Sequence, residues 1–133
     1  MKFILLVYTD PQMLGALAPG EFDSKMRTCI SHADELHHDG RLIESQMLED
    51  TTAARSVRIR KGRLAVTDGP FTETKEVLGG FNLIEAENID EAIRMAAEFP
   101  WAETGCIEVR PVRDFETVRR RVFNQDVVAE AGR

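Results

Sequence analysis

An α+β fold of the split β-α-β, ferredoxin-like kind is predicted by three features of the sequence. Two strand–helix–strand units follow one another, a β-hairpin signal stands between them, and each helix carries a single apolar stripe. In that arrangement both helices cover the same face of one antiparallel sheet, with the hairpin inserted in the middle of the chain.

The elements follow in order. Residues 3–8 (Phe-Ile-Leu-Leu-Val-Tyr) form a strand apolar on both sides, and Thr9 to Gly20, with two prolines and two glycines, forms a loop. Glu21 to Asp39 is a helix whose stripe runs through Phe22, Met26, Cys29, Ile30, Ala33 and Leu36, and Gly40 ends it. Leu42 to Leu48 is the second strand. Val57 to Arg60 and Arg63 to Val66 alternate around Lys61-Gly62, a two-residue hairpin turn. Phe81 to Glu87 is a strand. Asn88-Ile89-Asp90-Glu91 is a capping box in which Asn88 accepts from first-turn amides and Glu91 reaches back; the helix it opens closes at Pro100. Ile107 to Val112 is the last core strand. From Asp114 onward the composition is helical, with Phe115, Val118 and Val122 on one face and fraying expected at Ala129 to Arg133.

Composition narrows the function classes. The 133 residues suit one domain with its own core, 116–133 forming a helical extension to it, and 43% apolar with 30% charged residues is ordinary for a soluble protein. No apolar run reaches the ~20 residues of a membrane helix, and Met1 to Tyr8 reads as a strand rather than a signal peptide. A net charge of −6 argues against nucleic acid and membrane surfaces as partners, and Arg119-Arg120-Arg121 reads as a solvated helix face or a subunit contact. Cys29 and Cys106 make neither a metal cluster nor a disulfide framework; both read as reduced, buried, small hydrophobes of a cytoplasmic protein. No histidine stands at metal-ligand spacing, and neither a metal nor a cofactor is expected.

The first strand also predicts a partner. Phe3, Leu5 and Val7 alternate with Ile4, Leu6 and Tyr8, so both faces of the sheet are apolar while the helices cover only one. A second copy of the chain, sheet against sheet about a two-fold axis, is the expected cover, and a cavity between the sheets the expected ligand site.

The densest chemistry lies in Asp68-Gly69-Pro70-Phe71-Thr72-Glu73-Thr74-Lys75-Glu76, followed by Gly79-Gly80-Phe81. Gly-Pro restricts the loop, Phe71 offers an apolar anchor, and Glu73 and Lys75 present charges to a ligand. Asp68 is a candidate general base, or the acceptor of an Asx-type turn. Gly79-Gly80 suits a bulge or a close backbone approach. His32, at a margin of the helical stripe, is a candidate proton-transfer partner for Asp68 or an edge histidine packed for structure. Glu108 and Arg110 alternate with Ile107 and Val109 and so project onto the helix-free face, where they pair with each other or Arg110 takes a carboxylate bidentately. Tyr8 would offer its hydroxyl to the same chamber.

Several of these runs together resemble a known family. Asp68 through Glu76, Leu78-Gly79-Gly80-Phe81, Ile84-Glu85, Asp90-Glu91-Ala92, Pro100 and Ile107-Glu108-Val109-Arg110-Pro111-Val112 are similar to the DGPF subgroup of the YCII-related family, over about residues 1 to 115. The resemblance implies a ferredoxin-like protomer in a dimeric α/β barrel. It implies no settled activity, but points to enzymatic work built on an Asp–His pair, with Asp68 in the matching loop. The expected function is binding of a small polar or anionic organic ligand, with any catalysis cofactor-free acid–base chemistry, lyase or isomerase in kind. The resemblance also suggests an association with alternative sigma-factor regulation, and the alternative reading is a non-enzymatic interaction module that meets a sigma factor or other regulatory protein.

Overall fold

The computed structural model describes residues 1–131, with the side chains of 125–131 left aside. Its elements are β1 (Lys2–Thr9), α1 (Pro11–Gly15), α2 (Glu21–His38), β2 (Leu42–Met47), β3 (Arg55–Arg60), β4 (Arg63–Asp68), β5 (Val77–Glu85), α3 (Ile89–Ala97), β6 (Gly105–Pro111) and α4 (Phe115–Ala131). Four strands form one antiparallel sheet in the order β2-β5-β1-β6, and β3 and β4 pair only with each other. With α2 and α3 as crossovers this is the α+β, ferredoxin-like topology that the order of elements predicts.

The core forms where the alternation of β1 meets the helices. Phe3, Leu5 and Val7 are buried together with Ile84, Leu36, Ala92, Met95, Ala96, Phe99 and Trp101. Phe3, Leu5, Ile84 and Phe99 are sealed completely. Ile4, Leu6 and Tyr8 face the other way and are half-buried, with no extended helix packing on them among the described residues.

Local signals explain most boundaries. Gly40 takes φ +75°, its N–H bonds to His37 O (3.1 Å) and the Arg41 N–H to Leu36 O (2.8 Å), so the end of α2 closes as a Schellman turn. Lys61 and Gly62 both have positive φ, the two-residue hairpin turn expected of them. Asn88 Oδ1 accepts from Glu91 N (2.9 Å) and starts α3, but Glu91 does not reach back; its carboxylate lies 3.6 Å from Arg41 instead. Only half of the capping box forms.

Three segments differ from expectation. The Thr9–Gly20 loop contains a five-residue helix, because Asp10 Oδ1 caps Gln12 N (3.0 Å) and Pro11 takes the first helical position. β5 begins at Val77, four residues before Phe81, since Val7 pairs with Gly80 and Tyr8 with Leu78, leaving Gly79 as the extra residue of a bulge. Cys106 is exposed and Cys29 half-buried, so neither is the buried hydrophobe anticipated; Cys106 sits in an edge strand opposite Tyr8. The helical extension runs to Ala131, and the last part of the expected fraying, 132–133, lies outside the described residues.

Candidate functional site

A cavity of about 650 Å³ opens between α2 and the sheet, a size ordinary for a small-molecule site. Its walls are made by the apolar stripe of α2 and the helix-facing side of the sheet. Phe22, Met26, Cys29 and Ala33 descend from the stripe of α2, and Val7, Gly80, Asn82 and Ser45 rise from β1, β5 and β2. Gly80 lets β2 come close to β5 here, since a Cβ on it would stand 2.7 Å from Gln46 O.

The wall is largely apolar with one built polar pair. Ser45 and Asn82 face each other across the β2–β5 ladder, and the Ser45 hydroxyl donates to Asn82 Oδ1 at 2.6 Å. Asn82 is buried, and no hydrogen bond engages its amide nitrogen among the described residues, so that nitrogen is the donor available to a bound acceptor. Asp34, Glu49 and Asp50 stand at the lining's polar margin. Three carboxylates there set a negative potential that disfavours anions.

Next to this cavity, where β1 ends and β5 and β6 begin, is a polar cluster. Asp10 is only 3% exposed; its Oδ1 caps α1, and its Oδ2 lies 3.8 Å from Lys75 Nζ. The Asp10 N–H donates to Thr104 O at 3.2 Å. Thr104 Oγ1 and Glu76 Oε2 are buried nearby in register without a hydrogen-bond partner among the described residues. Thr9 and Pro11, the neighbours of Asp10, line the cavity. Asp10 therefore holds the inner end of the cavity wall and ties the Asp68–Glu76 loop to it through Lys75.

The residues singled out from sequence divide among three places. Asp68 ends β4 with its side chain 90% exposed, and its carboxylate pairs with Arg55 at 3.0 Å. Gly69, with φ +88°, follows it, and the loop is pinned to the hairpin by Gly69 N to Ala54 O (2.8 Å), Ser56 Oγ to Gly69 O (2.8 Å) and Arg58 to Phe71 O (3.3 Å). Phe71 is 75% exposed, so it anchors nothing within the protomer, and Glu73 is exposed too. Of the loop's charges, Lys75 and Glu76 reach the end of the main sheet. His32 is elsewhere: it is buried between α2 and α3, with Nε2 2.9 Å from Met95 O, Nδ1 3.2 Å from Glu98 Oε2 and its ring edge-on to Phe99. No hydrogen bond or ion pair joins His32 to Asp68 among the described residues, and the histidine's partners are those of a clamp between two helices.

Tyr8, Glu108 and Arg110 lie on the helix-free face, as their alternation predicts. Opposed residues of a ladder share a face, and Ile4 opposes Arg110 and Leu83, Leu6 opposes Glu108 and Phe81, and Tyr8 opposes Cys106 and Leu78. Arg110 donates to Glu108, so its guanidinium is already engaged. On the opposite edge strand Gln46 donates to Glu44 at 2.6 Å. This face has an apolar centre on β1 and β5 and polar margins on β2 and β6.

Asp10, Ser45 and Asn82 were not among the residues read as functional. Asp10 carried a signal, an Asp directly before Pro at the end of a strand, which is an N-cap pattern. Ser45 and Asn82 had none, because only the β2–β5 register brings them together.

The family model for the YCII-related domain matches residues 1–116. A protein of Rhizobium meliloti (strain 1021) described as uncharacterised is 37% identical over 114 residues, which is 84% of this chain and 92% of that protein. Among solved structures, 5-chloro-2-hydroxyhydroquinone dehydrochlorinase from Burkholderia phenoliruptrix AC1100, in complex with 2,5-dihydroxybenzoquinone, aligns with 85% of this chain and 94% of its own, at a TM-score of 0.43 and 15% identity. At that distance no residue role passes from one to the other.

Proposed function

This chain belongs to the YCII-related family, and on the geometry of the site we propose that it is a homodimeric protein that binds a small, uncharged, ring-sized organic molecule between α2 and the sheet. The observation that carries this reading is the pairing of an apolar cavity with one hydrogen-bonded polar couple on its wall, buried Asn82 and the exposed Ser45 that holds it. Apolar walls supply affinity through buried area, and one fixed donor orients a carbonyl or hydroxyl oxygen.

This places the ligand on the helix side of the sheet rather than in a chamber between two sheets. It also narrows the expected polar or anionic ligand to an uncharged one, because acidic side chains flank the cavity and Arg110 is occupied by Glu108. Acid–base chemistry centred on Asp68 and His32 has no support in their positions. If the bound molecule is turned over, Asp10 with Lys75 is the carboxylate–ammonium pair adjoining the cavity.

The homodimer reading rests on the helix-free face. Ile4, Leu6, Phe81 and Leu83 form an apolar centre between charged margins, the anatomy of an interface core and rim. The ligand reading is tested by thermal-shift screening of neutral phenols, quinones and cyclic ketones against the wild type and Asn82→Leu. Stabilisation of the wild type by at least one class, reduced at least about tenfold in affinity by the loss of one buried donor, is expected. Equal stabilisation of both proteins removes the site from this cavity.

A further inference from the structure

We propose that the β3–β4 hairpin is an arm that packs its apolar face on a second copy of this chain. The proposal rests on the homodimer reading above and uses a different surface of the protomer. Val57 opposes Val66 and Ile59 opposes Leu64, so all four share one face of the ribbon. They are 55–67% exposed, and beyond its own two strands the hairpin has no packing partner of any extent among the described residues. The other face carries Ser56, Thr67, Arg58, Arg60 and Arg63. A ribbon apolar on one side and polar on the other is patterned for cover on one side, and an isolated two-stranded hairpin is marginal in water.

Charge selects the cover. Residues 55–68 hold five of the chain's 17 Lys and Arg but only one of its 23 Asp and Glu, giving the hairpin a formal +4 and the remainder −10. Arg60 and Arg63 stand directly opposite each other beside Lys61 at the turn. Like charges opposed across a ladder are unfavourable, and an acidic surface at the tip relieves them. A second copy supplies both an acidic surface and apolar surface in excess, and its overall charge of −6 attracts the arm where nucleic acid or an anionic membrane would be repelled by the rest of the molecule.

Sedimentation equilibrium tests this with two hairpin variants and one sheet variant. Ile59→Lys/Leu64→Lys is expected to raise the dimer dissociation constant at least about tenfold, with the circular dichroism of the protomer unchanged. Arg60→Glu/Arg63→Glu, which leaves the apolar stripe intact, is expected to weaken the dimer and to abolish the wild type's weakening by salt. Leu6→Glu, on the helix-free sheet face, reports on the other interface. Dissociation by Leu6→Glu with both hairpin variants dimerising as the wild type overturns the arm and leaves the sheet-face dimer standing. A wild type monomeric at every concentration overturns both.

Discussion

At the scale of single residues, two aspartates with similar local sequence have opposite roles because burial differs. Asp68 is exposed and meets only Arg55, an arrangement worth little in water. Asp10 is buried, caps a helix and faces Lys75. Asp68→Asn is therefore expected to change unfolding free energy by less than about 0.5 kcal/mol, and Asp10→Ala to cost about 1–2 kcal/mol, both measured by urea denaturation. Asp114 adds a pH dependence. The Thr117 hydroxyl first, with the Thr117 and Glu116 amides and Arg120, holds its carboxyl below the ordinary 3.8, outweighing the opposing desolvation. A carboxyl with a lowered folded pKa stabilises fully above its unfolded value and loses that contribution as pH falls through the folded one. The start of α4 is thus expected to hold at neutral pH and to fray only below pH 3.8, read from the amide resonances of Glu116 and Thr117. Fraying that sets in on the alkaline side instead would reverse the sign and remove the cap.

At the scale of elements, glycines set how closely strands approach. A Cβ on Gly105 would stand 2.0 Å from Tyr8 O, so Gly105→Ala must part β1 from β6 at the sheet end that holds Asp10. A loss of about 3 kcal/mol or more is expected by thermal or chemical unfolding, since the clash is with backbone and not with a flexible side chain. How far the sequence discloses the fold follows from the same locality. The α2 stripe, the Gly40 stop, the Lys61-Gly62 turn and the alternation of β1 are signals within a few residues, and each element they announce is present. β5 starts early because its first four residues are fixed by pairing with β1, and Glu91 leaves Asn88 because Arg41, distant in sequence, competes for it. The site was least legible for the same reason. Its loop was conspicuous through composition, yet the cavity is assembled from α2, β2 and β5, and Ser45 and Asn82 become a pair only through register. His32 was noticed for its chemistry, and its partners Met95 and Glu98 on and beside α3 give it a packing role.

At the scale of the whole molecule, the sheet divides two tasks between its faces. The helix side keeps the core and leaves a cavity beside it; the other side has an apolar centre with charged margins. α4 stands apart, with Phe115, Val122 and Phe123 exposed, Arg119 over the Phe115 ring at 5.6 Å and no extended packing on the other described elements. No helix among the described residues is long and apolar enough to cross a membrane. The division of labour places ligand contacts and subunit contacts on opposite sides of one sheet, and amide chemical-shift mapping separates them directly. Titration of the isotope-labelled protein with the best stabilising neutral compound is predicted to move the resonances of Ser45, Gly80, Asn82, Cys29 and Ala33. Shifts clustered instead on Leu6, Phe81, Glu108 and Arg110 would put the ligand between the sheets and contradict the account.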